Sequence, residues 1–124
     1  MISKSTSSLG PKEEFIQQAI AYQQVWILRS GDDAATLPWE QGQPRGVQLF
    51  WSERTQAEQC ATGQWSEYTP EPINLSRFLG MWLPGLTHGM FWQGCIAGLN
   101  WTDPRTGFKI SPSELKEEIE RRAK

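Results

Sequence analysis

The chain has 124 residues, of which twelve are basic and fourteen acidic, for a net charge of −2. That length fits one domain, able to bury roughly two-thirds of its unfolded surface without disulfide or metal staples. With 38% apolar and 21% charged residues the composition is globular rather than disordered. The charges are spread along the chain. Nucleic-acid binding, which needs a basic stripe to neutralise phosphates, and membrane-surface binding, which needs a basic amphipathic helix, are therefore not expected.

Residues 1–10 carry serines and one lysine but no apolar stretch of the secretory type, so they read as a disordered leader. Pro11 is a favoured first helical residue, and Lys12, Glu13 and Glu14 follow it. Phe15, Ile16, Ala19 and Ile20, with Tyr22, then make an apolar stripe at helical spacing, ending near Gln23. Residues 25–29 (VWILR) are β-branched and aromatic, apolar on both faces, and predict a central strand. Ser30-Gly31-Asp32-Asp33 is a turn. Residues 34–37 return as a short strand stopped by Pro38, and residues 39–46 form a loop.

Residues 47–51 (VQLFW) predict the next strand. Ser52 is then expected to cap a helix, with Glu53 in its first turn, that stops at Gly63. Residues 64–74, with Pro70 and Pro72, predict a loop. A short helix over 76–83 points Phe78, Leu79 and Trp82 inward and is ended by Pro84-Gly85. Residues 95–101 and 108–110 predict a hairpin about the turn 103–107. Ser111-Pro112-Ser113-Glu114 is a capping box that opens the last helix, in which Glu117 and Arg121, Glu118 and Arg122, and Glu120 and Lys124 fall at i,i+4. Its apolar face is only Leu115 and Ile119. The order α-β-β-β-α-α-β-β-α, with short connections, predicts an α+β single domain: a mostly antiparallel sheet of about five strands with helices packed against it.

Three strings look familiar. They are Gln24-Val25-Trp26; Phe50-Trp51-Ser52 leading to Glu58-Gln59-Cys60-Ala61-Thr62-Gly63-Gln64-Trp65; and Phe78-Leu79-Gly80-Met81-Trp82-Leu83-Pro84-Gly85-Leu86, followed by the turn from Gly107 to Leu115. Together they resemble a bacterial family known only as domain of unknown function 2750, over about residues 12–120. The resemblance implies one α+β domain and no activity. The chain has Trp51-Ser52 where that family tends to place Trp-Pro-His, so a role resting on such a histidine has no residue here.

No catalytic constellation stands out. His88 is the single histidine, in a loop flanked by Gly89, and could act as a general base or pair with Cys60 or Cys95 as a nucleophile. Neither cysteine lies in a nucleophile motif, and Cys60 sits near a helix C-terminus, which does not activate a thiol. Cys60, Cys95 and His88 lack the spacing of a zinc clasp, so no metal is expected. Asp32 and Asp33 read as solvated turn residues. No phosphate-cradling glycine loop occurs, and the G-x-x-x-G of Gly94 and Gly98 lacks the apolar surroundings of a membrane helix. No cofactor is expected. The most apolar stretch, 90–99, is too short to span a bilayer. Two cysteines with no signal segment point to the cytoplasm and reduced thiols.

Seven tryptophans are the unusual feature. Trp26, Trp51 and Trp82 occupy apolar positions of regular elements and are expected in the core. Trp39, Trp65, Trp92 and Trp101 fall in loops or at strand ends, where aromatics serve recognition or fold back over the core. The expectation is a non-catalytic domain that docks a protein partner through loop tryptophans. The alternative is a domain binding a sugar or planar metabolite in an aromatic-lined pocket, and third an enzyme using His88. The candidate binding residues are Arg29, Trp51, Ser52, Trp65, Trp82, His88 and Trp92.

Overall fold

The computed structural model describes residues 10–31, 33–38, 46–87, 96–103 and 106–123. Helix α1 (Pro11–Tyr22) opens at its proline and buries Phe15, Ile16 and Ala19. It ends where Gln23 turns left-handed, with φ 59°, and the Gln23 side-chain amide donates back to the Ile20 carbonyl at 2.7 Å. The chain then enters β1 (Gln24–Ser30), whose apolar-on-both-faces pattern makes it the middle strand of a three-stranded sheet.

The alternation of β1 organises the whole sheet. Trp26 exchanges two backbone hydrogen bonds with Trp51, at 2.7 and 2.9 Å, and the Leu28 carbonyl accepts the Ala35 N–H at 2.9 Å. The backbone of these even-numbered residues therefore faces away from the other neighbour, β5 (Thr69–Asn74). The residues of β5 opposite Trp26 and Leu28 are Pro72 and Pro70. In an antiparallel ladder such positions turn their own backbone to the free edge. Both prolines thus sit where a missing N–H costs no ladder bond, and they deny that edge to further strands. Residues 64–74, expected as a loop because of those prolines, accordingly include an edge strand.

Short strands β2 (Asp33–Ala34) and β3 (Thr36–Pro38) flank Ala35, where the chain passes from one sheet to the other. The second sheet has the order β3, β4 (Gly46–Phe50), β6 (Ile96–Asp103), β7 (Thr106–Ile110). Five strands of five or more residues therefore line up as β5-β1-β4-β6-β7, with the Trp26–Trp51 bridge as the seam. All neighbours are antiparallel except β4 and β6, which run parallel. Their connection carries a helical crossover, as parallel pairing requires.

Helices cover both faces. On one side α1, α5 (Pro112–Ala123) and a bent helix over 75–87 pack on Val25, Ile27, Phe50, Ala97, Leu99 and Ile110. On the other, α2 (Arg54–Cys60) and a single 3-10 turn (Gly63–Trp65) pack on Leu28, Ala35, Val47, Leu49, Trp51 and Trp101. Trp65 and Trp101 are buried in this second core. Both thus fold back rather than project from loops. Of the tryptophans expected in the core, Trp51 is wholly buried, whereas Trp26 and Trp82 are half-buried.

Helix α2 begins one residue later than expected. Ser52 is not its cap: Glu53 holds that position without a side-chain cap, because Ser52 is engaged elsewhere. The last helix matches its signal, with the Ser111 hydroxyl accepting the Glu114 N–H at 3.2 Å. Of its i,i+4 pairs, Arg122 meets Glu118 at 3.4 Å and Lys116 meets Glu120 at 2.8 Å. Arg122 also grips Glu13 of α1 through both carboxylate oxygens, and Lys12 meets Glu118 at 3.0 Å. No helix among the described residues is long and apolar enough to cross a membrane.

Two predictions follow from this packing. A Cβ placed on Gly107 would lie 2.2 Å from Cδ1 of Trp101, an overlap that neither backbone nor a buried ring can relieve freely. Gly107→Ala is expected to destabilise by about 2 kcal/mol, read from urea unfolding. The second prediction concerns acid. The hydrogen bond from Arg122 holds the Glu13 carboxyl below its ordinary value of 4.5. A lowered native pKa adds stability above the unfolded-state value, and that stability is lost as pH falls through the native one. Glu13→Gln should therefore flatten the loss of melting temperature below about pH 4.5, and an unchanged acid limb would show the pair to be inert.

Candidate functional site

The carboxyl ends of the parallel strands β4 and β6 meet in a polar junction. The Ser52 backbone N–H donates to Oδ1 of Asn100 at 2.8 Å, and Nδ2 of Asn100 donates to the Ser52 hydroxyl at 3.0 Å. Asn100 achieves this from a left-handed conformation, φ 53°, beside a register shift in the β6–β7 pairing. Asparagine tolerates that conformation better than other side chains with a Cβ. The Ser52 hydroxyl proton goes to Oε1 of Gln18 on α1, and Oε1 of Gln56 on α2 lies 3.4 Å away. Gln18 in turn reaches the Glu53 carboxylate at 3.5 Å.

This junction ties α1, the β4–α2 turn, α2 and β6 together through the amides and hydroxyl around Ser52, with the Glu53 carboxylate joined to it by Gln18. None of the side chains bonded to Ser52 is a base, so nothing there removes its proton and the hydroxyl is not an activated nucleophile. Among the described residues no buried side-chain polar atom lacks a partner.

The tryptophan pair beneath it is equally committed. The Trp51 indole N–H donates to the Trp101 carbonyl at 2.8 Å, and the Cys60 thiol reaches the same carbonyl at 3.0 Å. The Trp101 indole N–H donates to the Phe108 carbonyl at 2.9 Å. Cys60 is buried at the C-terminal end of its helix, where the dipole opposes thiolate formation. No group of three metal-ligating side chains occurs among the described residues.

Arg29 is occupied at its strand end, with Nε donating to the Gly31 carbonyl at 2.9 Å and Nη1 pairing with Glu71 at 2.7 Å. On the neighbouring face the Arg54 guanidinium lies 5.8 Å from the Trp26 ring centre and bonds Glu58 at 2.9 Å. Of the candidate residues, Trp51, Ser52 and Trp65 are buried, Arg29 is ion-paired and Trp82 is half-buried. His88 and Trp92, with Trp39, Cys95 and Asp32, lie outside the described residues. The structure brings Trp51 and Ser52 to the junction but leaves Arg29 and Trp82 apart from it.

A second feature departs from its sequence signal. The helix expected to stop at Pro84 continues to residue 87: α3 (Leu75–Arg77) leads into a π turn (Phe78–Trp82), then α4 (Leu83–Thr87). Asn74 caps it, its side chain accepting the Arg77 N–H at 2.8 Å. Phe78 and Leu83 are both fully buried, yet residues five apart on an α-helix point about 140° away from one another. The wide turn, in which the Leu83 N–H bonds the Phe78 carbonyl, brings both onto the core side. Phe78 meets Phe50 edge-on at 4.9 Å, and the Trp82 ring stands edge-on to Phe50 at 6.1 Å. The outer side carries exposed Gly80 and Met81, which is 37% exposed, while half-buried Leu79 packs against the core as expected. Sequence reasoning missed Met81, Gln18, Gln56 and Asn100. The legible signal for the turn was Phe78 and Leu83 five apart, with Pro84 following.

Removing Asn100 should be costly. Asn100→Ala leaves the buried Ser52 N–H without its acceptor, for a loss of about 1–3 kcal/mol, read by chemical denaturation. Gln56→Ala, on the half-exposed rim, should cost well under half of that.

The model of the protein family of unknown function DUF2750 matches residues 12–119. Neither a curated protein nor a solved structure matches the chain. The chain belongs to that family.

Proposed function

We propose that this member of an uncharacterised family is a non-catalytic protein-interaction domain that docks its partner through the wide helical turn of residues 78–82, working in the cytoplasm with Cys60 reduced. One observation carries the reading. The turn departs from regular helix geometry at the surface while presenting Met81 beside half-buried Leu79 and Trp82. Wide turns of this kind concentrate at functional sites, and an exposed methionine offers a deformable apolar contact. Of the tryptophans expected in loops or at strand ends, Trp65 and Trp101 are buried, which weighs against docking through those two.

The reading is tested by affinity capture with the tagged chain, from lysate of the cell that encodes it, against an unrelated tagged control. Met81→Ser should lose a stoichiometric partner while melting within a few degrees of the parent. A partner retained at full yield by the variant would refute docking at the turn.

A second reading, a site for a small polar metabolite, is favoured by the junction at the carboxyl ends of β4 and β6, since ligands of sheets with parallel strands bind at such ends. Its partners would be the half-exposed amides of Gln18 and Gln56 with the Glu53 carboxylate. Stabilisation by a sugar or metabolite panel in a thermal-shift assay, lost in Gln56→Ala, would select this reading over docking.

A further inference from the structure

The ion pairs among the described residues engage Lys12, Arg29, Arg54, Lys116 and Arg122. Arg77, at the start of the bent helix, is exposed and enters none of them among those residues. It is the one charged residue between positions 75 and 87, so its own helix supplies no acid. The nearest acid before it in sequence, Glu71, is held by Arg29 at 2.7 Å. The side-chain oxygen of Asn74 is spent on the Arg77 backbone N–H at 2.8 Å and the Ser76 hydroxyl at 3.0 Å. Met81 follows Arg77 by four residues, one turn along the helix, a spacing that sets Cβ atoms about 5–6 Å apart. It is one of two exposed large apolar residues among those described, the other being Tyr22 on α1. Gly80 between Arg77 and Met81 is exposed, and no atom outside its own stretch of helix lies within 4 Å of where its Cβ would stand. The surface of the wide turn thus joins a cation without an acid to a methionine, with open space between.

We propose that this strip receives an acidic segment of a protein partner, a glutamate or aspartate side chain pairing with the Arg77 guanidinium and a nearby apolar side chain lying on Met81. The inference rests on the docking reading. Charge complementarity sets the sign of the occupant: a carboxylate reaching Arg77 has no resident acid to displace, and the guanidinium fork matches its two oxygens. The thioether beside it adapts to whatever apolar side chain arrives. Side chains two apart on an extended segment stand about 6–7 Å from each other, which matches the span from Arg77 to Met81.

The test is an amide-resolved NMR titration of the full chain with a capped peptide of two glutamates flanked on each side by two leucines. The same peptide with glutamines in place of the glutamates is the uncharged control. Saturable shifts centred on residues 76–82 are expected with the glutamate peptide alone. Arg77→Gln should weaken that peptide about fivefold, the upper end for an exposed ion pair, while melting within a few degrees of the parent. Arg77→Lys keeps the charge and should bind more tightly than Arg77→Gln. Arg121→Gln removes another exposed arginine that enters no ion pair among the described residues, and should bind as the parent does. Absence of saturable shifts at 76–82, equal binding of the glutamine peptide, or full affinity in Arg77→Gln would overturn the proposal. If the peptide fails while Met81→Ser still abolishes partner capture, the acidic occupant falls and docking stands. If capture ignores both Met81→Ser and Arg77→Gln, docking at the turn falls and the acidic occupant with it.

Discussion

Two backbone hydrogen bonds between Trp26 and Trp51 hold the two sheets of this protein together. They extend along β1 the edge that β2 and Ala35 occupy at its far end, opposite β5, and the arrangement around it follows from that. The even-numbered groups of β1 are spent on β4 and on the bend at Ala35, so only its odd-numbered groups remain for β5. That division is what lets β5 carry prolines at positions 70 and 72. Trp51 then ties the seam inward: its indole N–H reaches across to the Trp101 carbonyl, so one residue fastens β1, β4 and β6. Its ring is also the largest wholly buried side chain, placing apolar burial and directed hydrogen bonds at the same point.

Around the seam, polar contacts decide how the helices sit. Ser52 leaves β4 directly into the junction with Asn100, Gln18 and Gln56, and this engagement is why α2 starts at Arg54 without a side-chain cap. A cap is worth about 1 kcal/mol, whereas a buried N–H left without its acceptor costs up to about 3 kcal/mol. The junction therefore wins over local helix capping. On the opposite edge, α1 and α5 are joined by Glu13, Arg122, Glu118 and Lys12. These groups are partly solvated, and surface ion pairs contribute about 0–1 kcal/mol each. The two helices are held chiefly by Phe15, Ile16, Leu115 and Ile119 beneath them.

The bent helix shows the same competition at the surface proposed for recognition. Phe78 and Leu83 both belong to the core, and burying a leucine is worth about 2 kcal/mol. That gain is sufficient to draw one extra residue into the turn. The consequence is geometric: the widened turn sets Met81 at the surface above the buried Phe78 and Leu83.

Local chemistry was legible in the sequence wherever a residue answers to its neighbours along the chain. The proline that opens α1, the capping box of α5 and the two-faced apolar run of β1 each appear where their residue types demand. The α+β class follows from the order of those elements. The parallel pairing of β4 with β6 was not legible, because strand direction depends on a crossover whose path no local signal encodes. The strand at 69–74 was hidden because its prolines are tolerable only at an edge, and an edge exists only once the sheet is assembled. Burial of Trp65 and Trp101, and the convergence of Ser52 with Asn100, join residues dozens of positions apart. For these the tertiary structure alone decides, since a side chain is drawn into the core or left at the surface by what lies opposite it in space.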